Sequence, residues 1–75
     1  MSKFDDLVKT LKRNYEEGIL RREATTAIHL FGIEHHAELE GEQIYDVAEQ
    51  ATGRRSYGTE IRKGMKLAQY VMRKV

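Results

Sequence analysis

Not one proline interrupts this 75-residue chain, and its apolar residues recur at intervals of three and four. Without proline no backbone N–H is lost and no ring blocks a preceding turn, so helices can run unbroken. The three-and-four spacing then lines apolar side chains along one side of each helix. Phe4, Leu7, Val8, Leu11 and Tyr15 make such a face, which predicts a helix from about Lys3 to Glu17. Ser2 stands where an N-cap accepts from an unpaired amide, with Asp5 three residues on as a weaker reciprocal partner than Glu. Gly18 reads as the C-cap.

The pattern continues along the chain. A second helix is predicted from about Arg22 to Leu39, with Ala24, Ala27, Ile28, Phe31 and Ile33 inward. Gly32 lies inside it at a cost of about 1 kcal/mol relative to alanine, and marks a kink, a close helix contact or a break. Gly41 closes the segment. A short third helix from about Glu42 to Ala51 buries Ile44, Val47, Ala48 and Ala51. A fourth starts near Ser56 and reaches about Met72, with Tyr57, Ile61, Leu67, Tyr70 and Val71 inward. Gly64 is a candidate interruption, and a strand is the alternative for Lys66 to Val75. The expected fold is all-α, a compact bundle of four or five helices, in a single domain over residues 1–75 with a small core.

Charge is unevenly distributed. The formal net charge is only +1. Residues 1–50 carry six basic and eleven acidic side chains, whereas residues 51–75 carry seven basic ones and a single acid, Glu60. This separation suggests one face for a polyanion, with the acidic half turned away. The chain has no cysteine, hence neither a disulfide framework nor a thiolate metal site, which fits a reducing, cytoplasmic setting. No apolar run approaches the roughly 18 residues of a membrane span. The early acids Asp5 and Asp6 do not suit a secretory signal, so neither membrane nor export is expected.

The basic half contains the stretch with the most specific layout, Val47 to Gly64. It reads as a short helix, a tight turn and a second helix set with basic and hydroxyl residues. Ala48 is small enough for a close helix crossing. Thr52-Gly53 supplies the turn, and Gly53 can adopt positive φ without strain. Ser56 is placed to cap the second helix, and Ile61 anchors its inner side. This is the arrangement of a helix-turn-helix unit over about residues 43–64.

Through these residues the chain resembles the helix-turn-helix superfamily, and within it small phage-repressor-like units. Those often read Leu-Ala-x-x-x-Gly-x-Ser-x-x-x-(apolar)-x-x-Ile-x-x-Gly. The match runs without gaps from Val47 to Gly64, eighteen residues of 75, with Ala48, Ile61 and Gly64 in register. Two positions depart. Thr52 replaces the usual turn glycine, with Gly53 one residue later. Gly58 replaces the second inner anchor, a loss of about 2 kcal/mol of burial that Tyr57 is placed to make good. Upstream, Ala27-Ile28-His29-Leu30-Phe31-Gly32-Ile33 is similar to segments of small helix-turn-helix-like proteins of bacterial and phage genomes.

The resemblance implies sequence-specific binding of double-stranded DNA, as a small transcriptional regulator or DNA-binding accessory protein. The second helix would enter the major groove. Arg54 and Arg55 are expected to seat the turn on phosphates. Ser56, Thr59, Glu60 and Lys63 are expected to be exposed and to face base edges. Arg62, Lys66, Arg73 and Lys74 are expected on the DNA backbone. A module this small would call for a homodimer, through Phe4, Leu7 and Leu11 or through Leu67, Tyr70 and Val71. The alternative is a protein-interaction module, an inhibitor or adaptor of the kind found on mobile elements, that uses its acidic face.

Other chemistry finds little support in the residues. Among His29, His35, His36 and their acidic neighbours, only His35 and Glu38 share a spacing of three, short of the three or four ligands a zinc site takes. No metal or other cofactor is expected. His35 and His36 are expected to be exposed, and His29 to be at the surface or half-buried. There is no phosphate-cradling loop, cysteine nucleophile or pair of carboxylates suited to catalysis, so the protein is not expected to be an enzyme.

Overall fold

The computed structural model describes residues 2–71. Its five helices are α1 (Lys3–Leu20), α2 (Ala24–Glu34), α3 (His36–Leu39), α4 (Ile44–Thr52) and α5 (Tyr57–Leu67), which form an all-α bundle. Helix α1 packs on α2 and α4, and α5 packs on the same two helices. The core they enclose consists of Leu7, Leu11, Ile28, Phe31, Leu39, Ile44, Val47, Ala48, Ala51 and Ile61. Phe31 is its largest fully buried side chain.

Helix α1 begins as its sequence predicts. Ser2 is extended, and its Oγ accepts from the Asp5 amide at 3.1 Å. Asp5 and Asp6 in the first turn complement the helix dipole. The other end differs. The helix runs on past Gly18 to Leu20, because Gly18 is a packing position and not a cap. A Cβ there would lie 2.8 Å from Ala27 Cβ and 3.1 Å from Ala24 Cα. The chain reverses instead at Arg22, at φ 59°. The Glu23 amide donates to Gly18 O at 2.7 Å and the Arg22 amide to Ile19 O at 3.0 Å. That pair of bonds is a Schellman closure with arginine where glycine is usual.

The predicted long second helix is two helices. The break comes at His35 (φ −112°, ψ 20°), not at Gly32. The His35 ring packs 4.9 Å from that of Phe31 and pairs with Glu38 at 2.9 Å, so His35 is half-buried where exposure was expected. His36 is exposed and its Nδ1 donates to Ile33 O at 2.9 Å. The short α3 carries Leu39 into the core.

Gly32 and Gly64 interrupt nothing. They are where α2 and α5 cross: a Cβ on either would stand 3.0 Å from the Cα of the other. Helix α5 ends at Leu67, short of the expected Met72, and Ala68–Tyr70 form turns. A strand from Lys66 is therefore ruled out over the described part, while residues 72–75 lie outside the described residues. Leu7 and Leu11 are buried and Phe4 packs against them, which removes that group as a dimer surface. Leu67, Tyr70 and Val71, expected to face inward, are exposed, because α5 ends at Leu67 and its period no longer carries them onto the core.

Candidate nucleic-acid interface

The site is built from α4, the turn and α5. Helix α4 buries Ile44, Val47, Ala48 and Ala51. Ala48 is fully buried, as a close crossing requires. Thr52 and Gly53 divide the work of ending this helix. Thr52 stays helical, its Oγ1 donating to Ala48 O at 2.7 Å and accepting from the Arg54 amide at 3.1 Å. Gly53 makes the left-handed reversal at φ 79°, its amide on Glu49 O at 2.8 Å. The one-residue displacement of the turn glycine is thus compensated by a hydroxyl that satisfies the helix end.

The start of α5 departs from expectation. Ser56 has helical φ and ψ and makes no capping bond. The amides of Tyr57, Gly58 and Thr59 are instead met by the carbonyls of Arg54, Arg55 and Ser56 at 3.2, 3.0 and 3.2 Å. A tight lead-in turn of this type satisfies the first amides without a side chain. Gly58 is buried. The Tyr45 ring from α4 lies directly over it, where a Cβ would meet the ring carbons. Tyr57 meets Tyr15 of α1 edge-to-face, with ring centroids 5.6 Å apart. Burial and the neighbouring Tyr57 raise the Tyr15 hydroxyl above its ordinary pKa.

With Gly58, Ile61 and Gly64 turned inward, α5 presents Ser56, Thr59, Arg62, Lys63 and Lys66 to solvent, and Arg54 and Arg55 are exposed in the turn. Among the described residues, Arg54, Arg62 and Lys66 make no ion pair with a carboxylate. Arg73 and Lys74 lie outside the described residues.

Two residues of the predicted set are engaged inside the molecule. Arg55 turns back on α4. Its Nη1 lies 2.5 Å from Asp46 Oδ1 and 3.4 Å from Glu49 Oε1, and its guanidinium carbon stands 5.8 Å from the Tyr45 ring centre. The Asp46 hydrogen bond raises the already high pKa of this guanidinium. Glu60 is half-buried, not exposed. Its Oε1 lies 2.6 Å from His29 Nε2 on α2, and its Oε2 lies 3.6 Å from Lys63 Nζ. The His29 hydrogen bond, more than the charge of Lys63, holds the Glu60 carboxyl below its ordinary pKa, against an opposing effect of burial.

Tyr45, Asp46, Glu49 and His29 therefore shape this surface, though the sequence reading singled out none of them as site residues. The only local signal was the spacing of Asp46 and Glu49, which puts two acids on one side of α4, next to a turn with two arginines. His29 left no such signal, since its partner is 31 residues away. Among the described residues, no three His, Asp or Glu side chains converge as metal ligands, and no helix is long and apolar enough to cross a membrane.

Comparison with curated proteins and with solved structures gives no match. The sequence does match a family described as an HTH-like domain, over residues 3–74. The match takes in α1 through α5 and so extends beyond the α4–turn–α5 unit on which the resemblance first rested. A domain of this kind suggests DNA binding in general. Because the match spans nearly the whole chain, the protein belongs to the family of HTH-like domains.

Proposed function

We propose that the protein binds double-stranded DNA sequence-specifically through α5, as a small transcriptional regulator or DNA-binding accessory protein. The observation that carries this reading is the solvent side of α5, where Ser56, Thr59, Arg62, Lys63 and Lys66 are exposed together beside Arg54. In this reading Thr59, Lys63 and Ser56 face base edges in the major groove, with Lys63 suited to guanine. Arg54, Arg62 and Lys66 contact phosphates and set the register. Arg55 joins them by exchanging Asp46 for a phosphate oxygen. Glu60, expected at a base edge, is turned onto His29 of α2 and is left out of the base-facing set in this reading. Leu67, Tyr70 and Val71 offer a second copy an apolar surface, and a two-fold target would fit such a dimer.

The test is a salt titration of duplex binding by fluorescence anisotropy, with a target first enriched from a random duplex library. Each lost phosphate contact should lower the slope of log K against log salt by roughly 0.9. Arg54→Ala should show that loss in full. Arg55→Ala should show less, because Asp46 and Glu49 already neutralise this guanidinium in the free protein and its exchange onto a phosphate releases fewer counterions. No binding at low salt would remove the DNA reading. The rival reading, a protein-interaction module, draws on Asp46 and Glu49 as an acidic edge beside the turn. It would be favoured if the library yields no target while one protein partner is retained and then lost on Asp46→Asn with Glu49→Gln.

A further inference from the structure

We infer that His29, on α2, is a positioning residue for the DNA-facing side of α5: it holds the Glu60 carboxylate against α2 and keeps that negative charge away from DNA phosphates. This rests on the DNA-binding reading above. Glu60 is the single acid of residues 51–75, and it sits on the same helix as Arg62, Lys63 and Lys66. An ionised carboxylate that swung out among them would cancel part of their attraction for a polyanion. Three torsions separate it from the backbone, so that movement is open to it.

Two groups oppose the movement. Lys63 is one, but it is 3.6 Å away and its side chain is 62% exposed, a geometry in which an ion pair holds weakly. His29 is the other. Its Nε2 is 2.6 Å from Oε1, its side chain is 32% exposed against 24% for Glu60, and it comes from a helix packed against α5. An ionised carboxylate only accepts, so Nε2 carries the proton and donates it. The short bond is charge-assisted and partly shielded from water, which makes it the stronger of the two. The α2–α5 crossing fixes the distance. With Gly32 and Gly64 backbone to backbone, His29 is close enough for its ring to reach a glutamate one turn earlier on α5.

The test is a double-mutant cycle with the full chain and the enriched duplex: His29→Leu, Glu60→Gln and the two combined, with His29→Gln as the conservative variant. His29→Leu should weaken binding about threefold, roughly what one added charge changes over a fourfold range of salt, and the loss should shrink as salt rises. Glu60→Gln should bind at least as tightly as wild type. His29→Leu made in the Glu60→Gln background should cost nothing further. His29→Gln keeps a donor and should recover binding. Carbon-detected NMR gives an independent reading: the Glu60 carboxyl should titrate higher in His29→Leu than in wild type and stay low in His29→Gln. His29→Ala stands in if the leucine variant does not fold. A His29 loss that persists without the Glu60 charge would overturn the inference, as would full binding by His29→Leu. Binding by wild type with no such coupling removes this inference alone, whereas no wild-type binding removes the DNA reading along with it.

Discussion

The two flanks of α5 are held by opposite means. Against α2, backbone meets backbone: Gly32 and Gly64 cross so closely that a Cβ on Gly64 would run into the His29 carbonyl and stand 3.0 Å from Gly32 Cα. Against α4, a side chain fills the space, as the Tyr45 ring lies over Gly58 and its hydroxyl reaches Thr59 Oγ1 at 3.4 Å. The polar contacts divide in the same way. On the α2 side the pair is His29 with Glu60, both half-buried. On the α4 side it is Arg55 with Asp46 and Glu49, all more than 40% exposed. Backbone contact fixes the α2 flank, while the α4 flank rests on side chains that can turn. The α4 flank is therefore the one with more freedom to adjust.

Gly64→Ala should break this comparison hardest. The added methyl meets only backbone, which cannot rotate away, and overpacking of this kind costs about 3 kcal/mol against a gain of about 1 kcal/mol in helix propensity. The net loss of about 2 kcal/mol should lower the melting temperature by roughly 10 °C in a domain of this size. Gly32→Ala should behave alike. Thermal unfolding followed by circular dichroism reads both, and an unchanged melting temperature would mean that the helices do not cross at these glycines.

Gly58→Ala should cost less, about 1 kcal/mol, because the obstacle is a ring that can shift. A sharper form of this test uses Tyr45→Ala as the background. With the ring removed, Gly58→Ala should become stabilising by up to about 1 kcal/mol, since only its helix propensity remains. No single side-chain deletion should rescue Gly64→Ala in that way, since what it meets is backbone.

The polar pairs should show smaller effects. Glu60 has a lowered folded-state pKa, so its stabilising effect is complete above the ordinary value of 4.5 and is lost as pH falls through the lower folded value. Glu60→Gln should flatten the acid limb of a melting-temperature-against-pH curve and leave the slope near neutrality unchanged. Arg55→Ala should move the melting temperature by no more than about 2 °C, because exposed ion pairs contribute little. A larger fall would show that the Asp46 contact is part of what holds the turn.

The parts of the fold that were legible in the sequence are those that one helix decides for itself. The buried residues of α4 are the four its spacing picked out, and Leu7, Leu11 and Ile61 are buried where their periods put them. Ser2 caps α1 because an N-cap needs only its own next turn. The exposure of Thr59, Arg62, Lys63 and Lys66 follows once Ile61 faces inward, since side-chain directions on one helix are linked. What the tertiary structure alone decided involves a second element. Gly18, Gly32 and Gly64 look alike in the sequence whether they cap, kink or cross, because a glycine has no side chain to show which. The neighbouring helix made each a crossing point, and the chain reversal fell to Arg22 and the helix break to His35. Likewise Arg55 and Glu60 both read as outward, but each is paired within the molecule. Their partners stand nine and 31 residues away, and a charge pairs with whatever the fold brings within reach, at a separation that no local spacing records.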